Sequence, residues 1–152
     1  MSAVTKYPSI VTYLVSTVQA GVDSKTRVFD GAEDSAAYPV SAVAIAHDGS
    51  EGSPEMTVAS FTESDTAFAG SQEEAASIYC SLWVGDGGAK FPALRTRAIT
   101  LFDLVKNAIQ TDRTLGGLVN YSIVRATSIT TRSTGLGKAV IVTFTVDYQY
   151  IS

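Results

Sequence analysis

The feature that most constrains the fold is a pair of long alternating segments in the last third of the chain, at residues 118–131 and 138–151. In the second segment, apolar or aromatic side chains occupy every other position from Val140 to Tyr150. This is the period of a β-strand with one buried face. Between the segments, "RSTGLGK" at residues 132–138 contains two glycines and predicts the turn of a long β-hairpin.

The length of this hairpin is large for the size of the chain. A strand of about 14 residues spans roughly 45 Å, whereas a domain of this length has a radius of gyration of only about 15 Å. The hairpin therefore either bends around the core or projects beyond it. A projecting tip that carries Arg132 and Lys138 would be an arm for a neighbouring molecule, whereas a bent hairpin would leave the same tip in solvent.

The stretch before the hairpin predicts an amphipathic helix over residues 92–111. Its apolar side chains follow one helical face, namely Leu94, Ala98, Leu101, Phe102, Val105, Ala108 and Ile109. In "TDRTLGG", which follows, Gly116 or Gly117 can adopt the positive φ that turns the chain. Leu115 or Leu118 can then fold back on the helix end.

The first part of the chain predicts a short helix and several strands. Residues 8–20 place apolar side chains on one helical face, with Pro8 suited to the first turn and Gly21 to the end. Strand patterns occur in "TRVFD", "YPVSAVAIAH", "EMTVASFT" and "ASIYCSLWV", and the loops "HDGSEGSPE" and "ESDTAFAGSQEE" lie between them. We therefore predict one α+β domain over residues 1–152, with a mostly antiparallel or mixed sheet packed against two main helices and a long C-terminal hairpin.

The net charge of −4 conceals an uneven distribution along the chain. Residues 23–86 contain twelve acids and two bases, whereas residues 90–152 contain three acids and eight bases. One interpretation is a solvated acidic face without a function. The other is head-to-tail packing of copies, acidic side against basic side, which builds rings or helices when the contact is heterologous.

The residue types that common catalytic and metal sites need are sparse. His47 is the only histidine, and the chain contains no G-x-S-x-G nucleophile elbow. The single cysteine, Cys80, excludes an intrachain disulfide and a zinc site built from several cysteines. The acids of "HDGSEG" do not follow the EF-hand spacing. We expect no enzymatic activity, no cofactor and no metal site.

Two compartments are also disfavoured by the sequence. No apolar run reaches the roughly 18 residues of a membrane-spanning helix. The first 21 residues have only Lys6 before a polar-interrupted apolar stretch, so we do not expect a secretory signal peptide. A single cysteine fits a reducing cytosol.

The last third of the chain also resembles the tail terminator (tail completion) proteins of long-tailed bacteriophages. The stretches "ALRTRAITLFDLVKNAIQTDRTLGGLVNYSIVRAT" and "GKAVIVTFTVDYQYI" carry the resemblance. In that family an amphipathic helix leads into a D-x-T-L-x-G-like turn and paired strands. The turn is matched here by Asp112, Thr114, Leu115, Gly116 and Gly117.

The resemblance implies a structural protein of the virion. Six copies would form a ring on the last ring of tail-tube subunits, end tube growth and present a surface to the head-side connector, with DNA passing through the lumen. Such a protein would be assembled in the host cytoplasm and would remain at the head-proximal end of the tail. The alternatives are a head-completion, tail-tube or minor tail protein, or a small α+β ligand-binding domain.

If the chain forms a ring, the functional residues are those at the contacts between copies or with partners. On the hairpin, the predicted basic contacts are Arg125, Arg132 and Lys138. Their predicted acidic partners in the first loop are Asp48, Glu51 and Glu55. Because exposed ion pairs contribute only about 0–1 kcal/mol each, most stability must come from apolar contacts, for which the candidates are Leu136, Tyr148 and Tyr150.

Overall fold

A computed structural model of the chain describes residues 3–31, 41–50, 55–65, 72–86, 88–134 and 137–151. Its elements, in chain order, are α1 (Ala3–Gly21), β1 (Arg27–Asp30), β2 (Ser41–Ile45), β3 (Ala59–Asp65), β4 (Gln72–Asp86), α2 (Phe91–Gln110), β5 (Tyr121–Thr134) and β6 (Gly137–Ile151). The strands form one sheet in the order β1-β2-β4-β6-β5, and β3 pairs with β4 beside β2. Only β1 and β2 are parallel. The predicted α+β class, with a mixed sheet, two helices and a C-terminal hairpin, is confirmed.

Both helices pack on the same side of the sheet, which we call the helix face; the opposite side is the open face. The apolar stripe predicted for α2 is buried, and Phe102 meets Phe144 of β6 edge to face at 5.6 Å. Helix α1 buries Ile10, Leu14 and Val18. It begins at Ala3, so Pro8 lies inside the helix rather than in its first turn as predicted. Proline has no N–H, so α1 lacks one intrahelical hydrogen bond there.

Strand β4 is longer than its sequence pattern predicts. It runs for 15 residues and extends beyond the predicted "ASIYCSLWV" at both ends, to include Glu73 and Glu74 of the predicted loop and Gly85. The reason is tertiary, because β6 pairs with β4 along nearly its whole length, from Glu73↔Ile151 to Asp86↔Lys138. A partner on each side supplies the hydrogen bonds that local propensity does not favour.

The two strands of the hairpin have different environments. Strand β6 lies in the middle of the sheet, and its distal residues Val140 and Val142 are fully buried. Strand β5 is at the edge, and from Arg125 to Ser133 only Arg132 is half-buried while the others are exposed. The hairpin is therefore not a free arm, because one strand belongs to the core and only the other is uncovered. Residues 135 and 136 of the predicted turn lie outside the described residues.

The junction after α2 is a turn with three consecutive residues of positive φ. These are Leu115 at 50°, Gly116 at 69° and Gly117 at 85°, which confirms the predicted role of the glycines. The Asp112 carboxylate accepts hydrogen bonds from the Thr114 N–H at 3.0 Å and the Gly116 N–H at 3.1 Å. Leu115 is fully buried, so the turn is anchored to the core as predicted for one of the two leucines.

Candidate subunit interface

The charge division of the sequence becomes a spatial division in the sheet. Strands β1 to β4 lie on one side of the β4–β6 ladder, whereas β6 and β5 form the other side. The acid-rich half of the chain therefore supplies β1 to β4, and the base-rich half supplies β5 and β6 together with α2, which carries Arg95, Arg97 and Lys106. Head-to-tail packing would bring these unlike sides of two copies together.

The predicted basic residues do not form one cluster. Arg125 and Arg132 are on the open face of β5, and the Arg125 Nε lies 3.1 Å from an Asp147 carboxylate oxygen. Lys138 is on the helix face, with its ammonium nitrogen 5.4 Å from the centre of the Phe91 ring at the start of α2. Alternation along paired strands separates these side chains, which sequence proximity to the turn had grouped together.

The described first part of the predicted acidic loop, residues 47–50, lies on the open face. Gly49 approaches β6 so closely that a Cβ atom there would be 2.8 Å from the Thr143 methyl group. The His47 ring nitrogen Nδ1 is 3.3 Å from the Ser81 hydroxyl oxygen. Asp48 and Glu55 are exposed, and hydrogen bonds from Ser50 hold the pKa of Asp48 below its ordinary value. Glu51 lies outside the described residues, as does Leu136.

Of the predicted aromatic contacts, Tyr148 is wrong. Its side chain is 2% exposed and belongs to the core, because β6 is a central strand and the helices cover this face. Desolvation raises the pKa of the Tyr148 hydroxyl to about 12. The next residue on that face, Tyr150, is half-buried, and the Lys6 ammonium group lies 4.3 Å from its ring centre. Both tyrosines continue the alternation of buried residues that begins at Val140. That alternation was the signal in the sequence that these side chains face the core.

The edge of β5 is a feature that the sequence reasoning missed. Near its start the outward backbone groups are capped, since the Val124 N–H donates to the Gln110 side chain at 3.0 Å and Arg113 donates to the Ser122 carbonyl at 3.4 Å. Beyond Ala126, as far as Ser133, the side chains of β5 are exposed except for that of half-buried Arg132. Ile129, the largest apolar residue there, is 54% exposed. The only sequence signal is "RATSITTR", a strand-forming run with neither proline nor lysine to protect an edge.

The open face also carries a shallow hollow of about 390 Å³ between β3 and β5. Its floor has small side chains, including Ala75 and Ser77, and one wall carries Tyr121 and the Arg125–Asp147 ion pair. Within the described residues, no three His, Cys, Asp or Glu side chains are grouped so that they could hold a metal ion. This hollow offers space for a small ligand.

None of the helices in the described part of the chain is long and apolar enough to cross a membrane. A scan against models of protein families finds none that matches the chain, and a search of curated proteins finds no matching relative.

Proposed function

We propose that this chain is the subunit of a closed ring that ends the tail tube of a long-tailed bacteriophage. The observation that carries the proposal is the sheet, in which the acid-rich half of the chain forms one side of the β4–β6 ladder and the base-rich half the other, where the last strand is exposed over half its length. Such a subunit is suited to heterologous contacts, in which each copy offers one edge and receives the other. The resemblance of the last third to tail terminators supplies the biological setting.

In this proposal six copies form the ring, which sits on the last tail-tube ring and stops further addition of tube subunits. The opposite side of the ring meets the head-side connector, and DNA passes through the lumen without being bound. The net negative charge of the chain suits such passage, because phosphates are repelled rather than retained. The protein would be found at the head-proximal end of the tail after assembly in the host cytoplasm.

The contact between copies must be mainly apolar and backbone-mediated. Exposed ion pairs contribute only about 0–1 kcal/mol each, and Arg125 is already paired with Asp147 in the same chain. Unlike charges at the two edges therefore orient the copies and accelerate their encounter more than they hold the ring together. The ring is expected to assemble more slowly at high salt, with a smaller change in its stability once formed.

The test is a measurement of particle mass together with negative-stain images, first of the purified protein and then after addition of purified tail tubes. Closed rings, alone or at one end of tubes that no longer elongate, are the expected result. Tubes of unlimited length formed by this protein alone would identify a tail-tube subunit instead. A protein that stays monomeric and leaves tube elongation unchanged would refute the proposal, and ligand binding in the open-face hollow would then become the leading alternative.

A further inference from the structure

The outer edge of β5 changes character at its middle. In an antiparallel ladder, successive residues point their backbone groups alternately towards the partner strand and away from it. The Gln110 hydrogen bond to the Val124 N–H marks Val124 as an outward residue. The register with β6, including the shift between Ala126 and Ser128, then makes Ile129 and Thr131 outward residues as well. Their side chains lie on the helix face, opposite Val142 and Val140.

A second open edge is present in the acid-rich half of the sheet. Among the described strands β3 pairs with β4 alone, and its residues from Ser60 to Glu63 are exposed. The Tyr79 N–H donates to the Val58 carbonyl, so the odd-numbered residues of β4 turn their backbone N–H and C=O groups towards β3. The same alternation turns the backbone groups of Phe61 and Glu63 outward, again with side chains on the helix face. Phe61 is 38% exposed and meets the Tyr7 ring edge to face at 5.9 Å.

We infer that residues 126–133 of β5 pair antiparallel with β3 of the next copy, with Ile129 beside Phe61. This inference rests on the proposed head-to-tail ring and names its contact. Strand β5 runs in the same direction as β4, whereas β3 runs opposite to it. A neighbour that continues the sheet in the same orientation therefore presents β3 antiparallel to β5. In this pairing the outward backbone groups of the two strands meet, and the exposed side chains of Ile129 and Phe61 lie on the same face of the sheet.

Charge selects this partner over self-pairing of two β5 strands. Antiparallel pairing of β5 with itself, centred on Ile129, would gather Arg125 and Arg132 of both copies on the open face of one strand pair. Like charges brought together in this way repel one another. Strand β3 carries Glu63, which faces Glu74 of β4, and the interaction with that carboxylate raises the pKa of Glu63. Residues 126–133 of β5 bring no further carboxylate to this edge, whereas a second acidic edge would add to the crowding of acids.

The two edges lie at opposite ends of the sheet. Strand β3 pairs with Gln72–Ile78 of β4, whereas the uncovered part of β5 is level, through β6, with Tyr79–Asp86. Pairing Ile129, which is level with Leu82, beside Phe61, which is level with Ala76, displaces neighbouring copies along the strands by about six residues, or roughly 20 Å. A closed ring accommodates such an offset when its strands are inclined to the ring axis, as they are in barrels. The ring should therefore show strands that are strongly tilted from its axis.

The test is disulfide cross-linking between two full-length variants that each gain one cysteine, Ile129→Cys and Phe61→Cys. Facing residues in an antiparallel pair have Cα atoms about 4.5–5.5 Å apart, which a disulfide can span. The variants are oxidised with diamide separately and as a mixture. Wild-type protein is the control and should stay uncross-linked, because Cys80 is buried and desolvation raises its pKa to about 12.

Covalent dimers that form in the mixture, and several-fold less in either variant alone, are the expected result. Dimers that form equally well with Ile129→Cys alone would show that β5 pairs with itself and would overturn the inference. The absence of mixed dimers would also overturn it, whatever the mass of the wild-type particle, because oxidation traps transient contacts. Mixed dimers of a protein that neither closes into rings nor caps tubes would keep the strand pairing and refute only the proposed function.

A pair of matched variants tests the same edge without new cysteines. Ile129→Glu places a carboxylate beside Phe61 and Glu63 of the next copy, whereas Ile99→Glu makes the same change on α2, where Ile99 is 42% exposed. Both variants should keep the wild-type far-ultraviolet circular dichroism spectrum. Self-association measured by mass across a dilution series should be lost only in Ile129→Glu. Equal self-association of Ile129→Glu and wild type would contradict the pairing.

Discussion

The close approach of the two helices yields a sharp prediction about stability. Gly21 ends α1 against α2, and a Cβ atom at Gly21 would lie 2.5 Å from the Cβ of Ala108 and 3.7 Å from its Cα. Carbon atoms in favourable contact are about 3.5–4.0 Å apart, so Gly21→Ala requires the helix ends to separate by about 1 Å. Such overpacking costs about 1–3 kcal/mol. The replacement of glycine in a helix returns about 0.5–1 kcal/mol, which leaves a net loss of about 1–2 kcal/mol.

The measurement is urea denaturation of four proteins: wild type, Gly21→Ala, Ala108→Gly and the double variant. The single changes should each reduce the free energy of unfolding, the second by about 1 kcal/mol from helix propensity. In the double variant the methyl group has moved from α2 to α1, so its loss should be smaller than the sum of the two by about 1–2 kcal/mol. Strictly additive losses, or a Gly21→Ala variant as stable as wild type, would refute the contact as the cause.

Three further predictions concern the edge strand, the junction and the cysteine. Thr131→Pro removes an outward N–H and should abolish self-association while the chain stays folded. Thr130→Pro instead removes a ladder hydrogen bond to β6 and should lower the unfolding free energy by about 1–3 kcal/mol. The opposite pattern in mass and denaturation measurements would contradict the assigned alternation. Hydrogen bonds from Thr114 lower the pKa of Asp112 below 3.8. The contribution of the Asp112 carboxylate to stability is therefore present above that pH and lost as the pH falls through the folded-state pKa. The difference in unfolding free energy between wild type and Asp112→Asn should shrink over the same pH range. Cys80, with a pKa raised to about 12 by burial, should react with a thiol reagent only after unfolding, and rapid labelling of the folded chain would show that it is accessible.

Elements with a strong local period were predicted well. The stripe of α2 and the alternation of β6 each identify both the element and its buried face, because the spacing of apolar residues has to match the geometry that buries them. The glycine junction was also predictable, since Gly116 and Gly117 suit positive φ. Strand β4 was truncated at both ends in the prediction, because Glu73, Glu74 and Gly85 are held in the strand by neighbours and not by their own propensities.

The candidate interface was predicted less well, and the reason is instructive. The charge division along the chain is a property of the sequence and survives as two sides of the sheet. The individual residues chosen for contact did not form a common surface. Tyr148 is in the core, Lys138 and Arg132 are on opposite faces, and Gly49, next to Asp48, lies against the open face of the chain's own sheet. Distance along the chain does not report which face or which edge a side chain occupies.

By itself, the sequence determined the helices, the alternating strands and the uneven charge, because each depends on neighbours within a few residues or on a simple count. The tertiary structure alone decided that β6 is central and β5 is an edge, although the two strands follow one another and are similar in length. Whether a strand has one partner or two depends on long-range pairing. Strands β4 and β6 are paired in the sheet although α2 and β5 lie between them in the sequence. The exposed edge beyond Ala126 follows from that pairing, because β5 has a partner strand on one side only. The local sequence pattern reports which side chains are buried, and it does not report which backbone groups lack a neighbouring strand.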